Sequence, residues 1–131
     1  MRKLILNLFH LGILLIILIS CDYSYGILLE SSNTDIPIIN IYEKIKNELN
    51  YDRMYYNNDN IQIYFDKFSI NIDYYDYGDD KGKVLRIDSF TKNNPNYFEE
   101  KRSYINQIKF CLINSYPNTF KDDSFKEKIN K

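Results

Sequence analysis

From Ile61 to Tyr75 the chain alternates apolar and polar residues in two runs, and few folds accommodate that pattern other than an antiparallel sheet with one buried face. Ile61, Ile63 and Phe65 alternate with Gln62, Tyr64 and Asp66. Phe68, Ile70, Ile72 and Tyr74 then alternate with Ser69, Asn71, Asp73 and Tyr75. Successive strand residues point to opposite faces, so each run hides one set and shows the other to water. The apolar phase steps by one between Phe65 and Phe68, which either a tight turn at Asp66-Lys67 or a β-bulge produces. Gly78-Asp79-Asp80-Lys81-Gly82 is built of turn residues, and Val84, Leu85 and Ile87 follow it as a further strand. Arg53 to Tyr56, followed by Asn57-Asn58-Asp59-Asn60, offers one more strand and a hairpin turn. The expected sheet therefore has three or four antiparallel strands.

Helical periodicity brackets this sheet. Ile38, Ile41, Tyr42, Ile45 and Leu49 recur at helical spacing and predict a helix over 37–50, with Pro37 in its first turn and Asp35 near its start as a cap. Asn96-Tyr97-Phe98-Glu99 has the spacing of a capping box. Behind it Phe98, Ile105, Ile108 and Leu112 form a stripe, widened by Tyr104 and Cys111 and stopped by Pro117. Phe120, Phe125 and Ile129 suggest a short final helical turn. The fold class expected is α+β: an N-terminal helix, a three- or four-stranded antiparallel sheet and a C-terminal helix, with both helices on one face.

The N-terminus is of another kind. Arg2 and Lys3 precede a nine-residue apolar run from Leu11 to Ile19, and the chain turns polar at Asp22. A membrane span needs about 20 such residues, whereas a basic start, a short apolar run and a small residue before a cleavage point make a secretory signal. Leu18-Ile19-Ser20-Cys21 resembles the lipobox of bacterial lipoproteins, with a Leu three residues before the Cys and a small Ser directly before it. The resemblance implies diacylglycerol on the Cys21 thiol, removal of residues 1–20, and a mature N-terminus carrying two or three fatty-acyl chains of the palmitate type. Each buried methylene contributes about 0.8 kcal/mol, so two chains hold a protein on a membrane where one does not. Residues 21–36 then read as the lipidated Cys and a tether, and 37–131 as one domain. Ile27-Leu28-Leu29 is unusually apolar for a tether and either packs on the domain or dips into lipid. The expected location is the bacterial cell envelope, with the membrane as partner through Cys21. Asp22 resembles an inner-membrane retention signal, so the outer surface and the periplasmic face both stand open.

Several chemistries are excluded. The single His, His10, lies in the signal, so no imidazole remains to activate a nucleophile or bind a metal. Beyond the signal only Gly26, Gly78 and Gly82 remain, too few for a phosphate loop. A calcium loop starting at Asp76 fails, because Gly78 and Ile87 stand at its third and twelfth positions. All 18 acidic residues follow Cys21, but two of the 17 basic ones precede it, and the resulting acidic balance argues against nucleic acid. With Cys21 taken by lipid, Cys111 has no cysteine to pair with in its own chain, and it sits in an apolar stretch, where a thiol behaves as a small hydrophobe. No catalytic residue, metal or cofactor is expected.

What remains is a surface. Strand alternation places Tyr64, Tyr75 and Tyr77 on the outer sheet face, with Arg86 lying across from Asp73 or from Tyr75 according to register. Tyr and Arg are the residues most often found at the energetic centre of interfaces. Tyr64, Tyr75, Tyr77 and Arg86 are therefore the candidate binding residues, and loss of Tyr75 with Tyr64 is expected to abolish binding. Two functions fit: a non-catalytic binding module displayed on the cell surface for a protein or glycan, or an inner-envelope accessory or immunity-type inhibitor that caps a partner protein.

Overall fold

The two alternating runs are hairpin partners, and the phase step between them is a tight turn. In a computed structural model, which describes residues 24–31, 36–78, 82–92 and 94–130, the Phe65 N–H donates to the Phe68 carbonyl at 2.9 Å. Ile63 pairs with Ile70 and Tyr64 with Ser69, so no bulge is needed. The flanking rings of Phe65 and Phe68 stack at 4.8 Å.

The elements run β1 (Ser24–Ser31), α1 (Ile38–Ile45), β2 (Arg53–Tyr56), β3 (Asn60–Tyr64), β4 (Ser69–Asp76), β5 (Lys83–Lys92), α2 (Phe98–Ser115) and β6 (Phe125–Asn130). Among the described residues six strands form one antiparallel sheet in the order β2-β3-β4-β5-β1-β6. The class remains α+β, but the expected three- or four-stranded sheet is too small by two or three strands; β1 and β6 were not expected, and each has a physical cause. Residues 24–31 are not tether. They are an interior strand, with Ser24 to Ser31 paired against Lys92 to Leu85 on one side and Gly26 to Ser31 against Asn130 to Phe125 on the other. Partners on both sides satisfy the backbone of a segment whose own periodicity is short. Residues 125–130 are not helical either: β6 buries Phe125 and exposes the rest, and it exists because β1 presents an open edge.

The helices also differ from expectation at their ends. α1 is shorter than 37–50, ending at Ile45, although Leu49 beyond it is buried. The capping box does not form. Tyr97 takes the cap position in a left-handed conformation (φ 64°) with no side-chain cap bond, and the Asn96 N–H donates to Asn94 Oδ1 at 3.0 Å instead. That backbone costs about 1–2 kcal/mol for a non-glycine residue, and Lys67 stands 5.2 Å over the Tyr97 ring.

Both helices cover one face. Ile27 and Leu29 of β1, Ile61 and Ile63 of β3, Ile70 and Ile72 of β4, and Leu85 and Ile87 of β5 meet Ile38, Ile41 and Ile45 of α1 and Ile105, Ile108 and Leu112 of α2. Lys101 occupies a position in the α2 stripe that the sequence reading passed over. It is 1% exposed, its Nζ donates to Thr91 Oγ1 at 2.6 Å, and burial lowers its pKa from the ordinary lysine value. Cys111 is half-buried between the helices, with Sγ 3.6 Å from the Lys44 carbonyl oxygen, and burial pushes its thiol up. No helix among the described residues is long and apolar enough to cross a membrane.

Candidate binding surface on the open sheet face

The opposite face of the sheet carries no helix among the described residues, and strand register decides what stands on it. One row runs Asn60, Asp73, Arg86, Glu30, Lys126, from β3 to β6. The next runs Gln62, Asn71, Asp88, Leu28, Lys128. Directly opposed residues approach within about 5.5 Å at Cβ, so each row sets its side chains alongside one another.

Arg86 lies across from Asp73, which settles the alternative left open above, and it reaches Tyr75 as well. Its Nε and Nη2 donate to the two Asp73 carboxylate oxygens at 3.0 and 2.8 Å. Its guanidinium carbon stands 4.4 Å from the Tyr75 ring centroid. The fork bonded to Asp73 leaves the planar face of the guanidinium free for the ring, a geometry that lysine cannot supply. Tyr77 meets Tyr75 edge to face at 4.7 Å and donates its hydroxyl to the Glu30 carboxylate. Lys128 Nζ donates to the other Glu30 oxygen at 2.8 Å. Side chains of β4, β5, β1 and β6, with Tyr77 just past β4, are thus linked into one network. Tyr75 is 42% exposed and Tyr77 36%, while the Glu30 side chain beneath is only 12% exposed.

The charges respond to these contacts. Partial burial opposes ionisation of Glu30, but the hydrogen bonds from Lys128 and Tyr77 outweigh it and hold its carboxyl below the ordinary value. The bond to Glu30 raises the Tyr77 phenol, and Asp73 keeps Arg86 protonated. Asp88 differs. Burial, and then the charge of Asp73, raise its carboxyl, and the Asn71 amide and Arg86 offset this only in part. Asn71 Oδ1 beside it is buried with no hydrogen-bond partner among the described residues.

This predicts a pH-dependent gain from Asp88→Asn. A carboxyl whose folded pKa is raised binds more protons folded than unfolded, so stability falls as pH rises through the window just above the ordinary aspartate value. The variant removes that loss. Its urea midpoint should exceed that of the parent at pH 7, and the two should converge at pH 3, where both side chains are neutral. A lower midpoint at pH 7 would show that the carboxylate is net favourable there.

Of the four residues singled out from sequence, Tyr75, Tyr77 and Arg86 come together and Tyr64 does not. Tyr64 pairs with Ser69, six residues along β4 from Tyr75, which at about 3.3 Å per residue separates them by roughly 20 Å. Tyr64 belongs to a second aromatic group, edge to face with Tyr55 at 5.7 Å, under the Arg53 guanidinium at 5.6 Å, and donating to Gln62 Oε1 at 2.7 Å. Tyr75 and Tyr64 therefore stand in two separate aromatic groups of the open face. Glu30 and Lys128 escaped the sequence reading because their segments did not read as strands. Cys21 lies outside the described residues, as do Asp79 and Asp80. The turn residue Gly78 adopts φ 66° and donates its N–H to Asp76 Oδ1 at 2.9 Å, the geometry of a hairpin turn. No protein-family model, curated protein or solved structure matches this chain.

Proposed function

We propose that the protein is a bacterial envelope lipoprotein, anchored through lipid on Cys21 and displayed on the cell surface, whose domain binds a protein partner without catalysis. The anchor rests on the lipobox-like Leu18-Ile19-Ser20-Cys21, and the observation that carries the binding role is the exposed Tyr75–Tyr77–Arg86 cluster, held by hydrogen bonds and ring contacts to four strands. Aromatic rings and arginine dominate the energetics of protein interfaces, and side chains already fixed in place lose little entropy on binding. A protein fits better than a glycan because one face of Tyr75 is taken by Arg86 and its neighbour Tyr77 meets it edge-on, leaving no flat platform of parallel rings.

Two experiments test it. Proteinase K added to intact cells should remove the protein while periplasmic markers survive, and the Cys21→Ser variant should leave the membrane fraction. A photocrosslinking residue in place of Tyr77 should yield a discrete protein adduct that the same residue in place of Tyr64 does not. Against the partner so captured, Tyr75→Ala should weaken binding by about 2 kcal/mol, roughly thirtyfold, with the urea midpoint little changed. Undiminished affinity in a Tyr75→Ala, Tyr77→Ala double variant would sink the assignment of the surface. Protection from protease until the envelope is opened would sink the surface location.

A further inference from the structure

Lipid on Cys21 has a geometric consequence, because β1 begins at Ser24. Three steps of fully extended chain reach about 10 Å, so the start of β1 cannot stand farther than that from the lipid-bearing residue. In place of a long tether the anchor has two intervening residues. Ser24 pairs with Lys92 at the end of β5, and the same end of the sheet holds the last residues of β6 and the first turn of α2. It is also an apolar end. Phe90, on the open face, and Ile129, on the helical face, are each 44% exposed there, and a cavity of about 250 Å³ at the same end is lined by Tyr25, Pro95, Phe98, Glu99 and Asn130.

We infer that this end faces the bilayer: the domain stands on the start of β1, the end of β5 and the N-terminus of α2, and raises the tyrosine cluster away from the lipid. The inference rests on the lipid anchor proposed above and adds an orientation to it. Val84, opposite Tyr75, lies eight residues from Lys92 along β5, which at about 3.3 Å per residue places the cluster roughly 25 Å above the contact. The alternative posture, flat on the open face, would press the Asp73–Arg86 and Glu30–Lys128 pairs against lipid and strip them of water, which is costly for ion pairs. Flat on the helical side, the Arg102–Glu127 and Lys109–Asp122 pairs would suffer likewise.

The test uses the full lipidated chain in a Cys111→Ser background, reconstituted into phosphatidylethanolamine–phosphatidylglycerol vesicles bearing a headgroup quencher. A fluorophore is attached at Lys92→Cys or at Lys83→Cys, both exposed and at opposite ends of β5. The mass of the mature N-terminus is read on the same samples. Acyl chains on Cys21 and several-fold stronger quenching at position 92 than at 83 are expected. Acyl chains with equal quenching, or stronger quenching at 83, would overturn the orientation and leave the anchor standing. A mass without acyl chains would overturn both. Lys67→Cys and Asn58→Cys, on the turns at the same two ends, repeat the comparison should either first variant fail to fold.

Discussion

Phe120→Ala is expected to lose about 3–5 kcal/mol, a large share of the roughly 5–15 kcal/mol available to a domain of this size. Phe120 sits in the link between α2 and β6, yet it is 1% exposed. Its N–H donates to the Tyr116 carbonyl at 2.8 Å, and its ring stacks on Phe125 at 5.4 Å and meets Tyr116 edge to face. Phe125 is the one buried residue of β6. The two rings together fasten an otherwise exposed edge strand, assisted by the partly exposed and therefore weak Arg102–Glu127 and Lys128–Glu30 pairs. Removing the ring leaves a cavity under Phe125, so amide exchange in β6 should quicken before that in β3 and β4. Urea unfolding gives the magnitude. A loss below 1 kcal/mol, or protection that falls evenly across the sheet, would show that β6 is held by its backbone pairing alone.

The second large effect belongs to Gly26→Ala. A Cβ at this position would stand 2.0 Å from the Ser89 carbonyl oxygen, 2.8 Å from Phe90 Cα and 2.9 Å from the Phe90 ring. Two of those atoms are backbone, so a rotamer change cannot relieve the clash, and β1 is flanked by partners on both sides. Such overpacking costs about 1–3 kcal/mol and more where nothing can yield; we expect the upper end. Gly78→Ala and Gly82→Ala make the contrast. Their Cβ atoms would meet nothing within 4 Å, but both glycines adopt positive φ, so each substitution should cost only about 1 kcal/mol. The cause at Gly26 is space and at Gly78 it is conformation. Equal losses in the three variants would refute that distinction. Because β1 carries Glu30, displacing it should also free the Tyr77 hydroxyl, and the phenol pKa should fall back toward its ordinary value.

These two residues mark where sequence reading stopped. β3 and β4 were legible because each alternates over five residues or more, β5 because Val84, Leu85 and Ile87 follow a run of turn residues, and α1 and α2 because their apolar stripes repeat over at least two turns. The Asp66-Lys67 turn was legible as a phase step, though not as a turn rather than a bulge. Ile27-Leu28-Leu29 was noticed as too apolar for a tether, yet a three-residue run has no period to measure. In β6, Lys126, Glu127 and Lys128 carry no strand preference at all. The candidate surface followed the same division: Tyr75, Tyr77 and Arg86 were found from alternation, while Glu30 and Lys128, which complete their network, came from β1 and β6.

The sequence by itself determined which faces of the central strands and helices are buried, because that follows from the local repeat of side chains along one element. It also determined that residues 21–131 contain no histidine and no glycine-rich phosphate loop, because those are counts along the chain. Only the tertiary structure decided that β1 lies inside the sheet, that β6 closes it, and that Tyr75 and Tyr64 stand at opposite ends of the open face. Those outcomes depend on backbone pairing between segments as far apart as Gly26 and Asn130, and hydrogen bonds of that kind leave no period in the residues that make them.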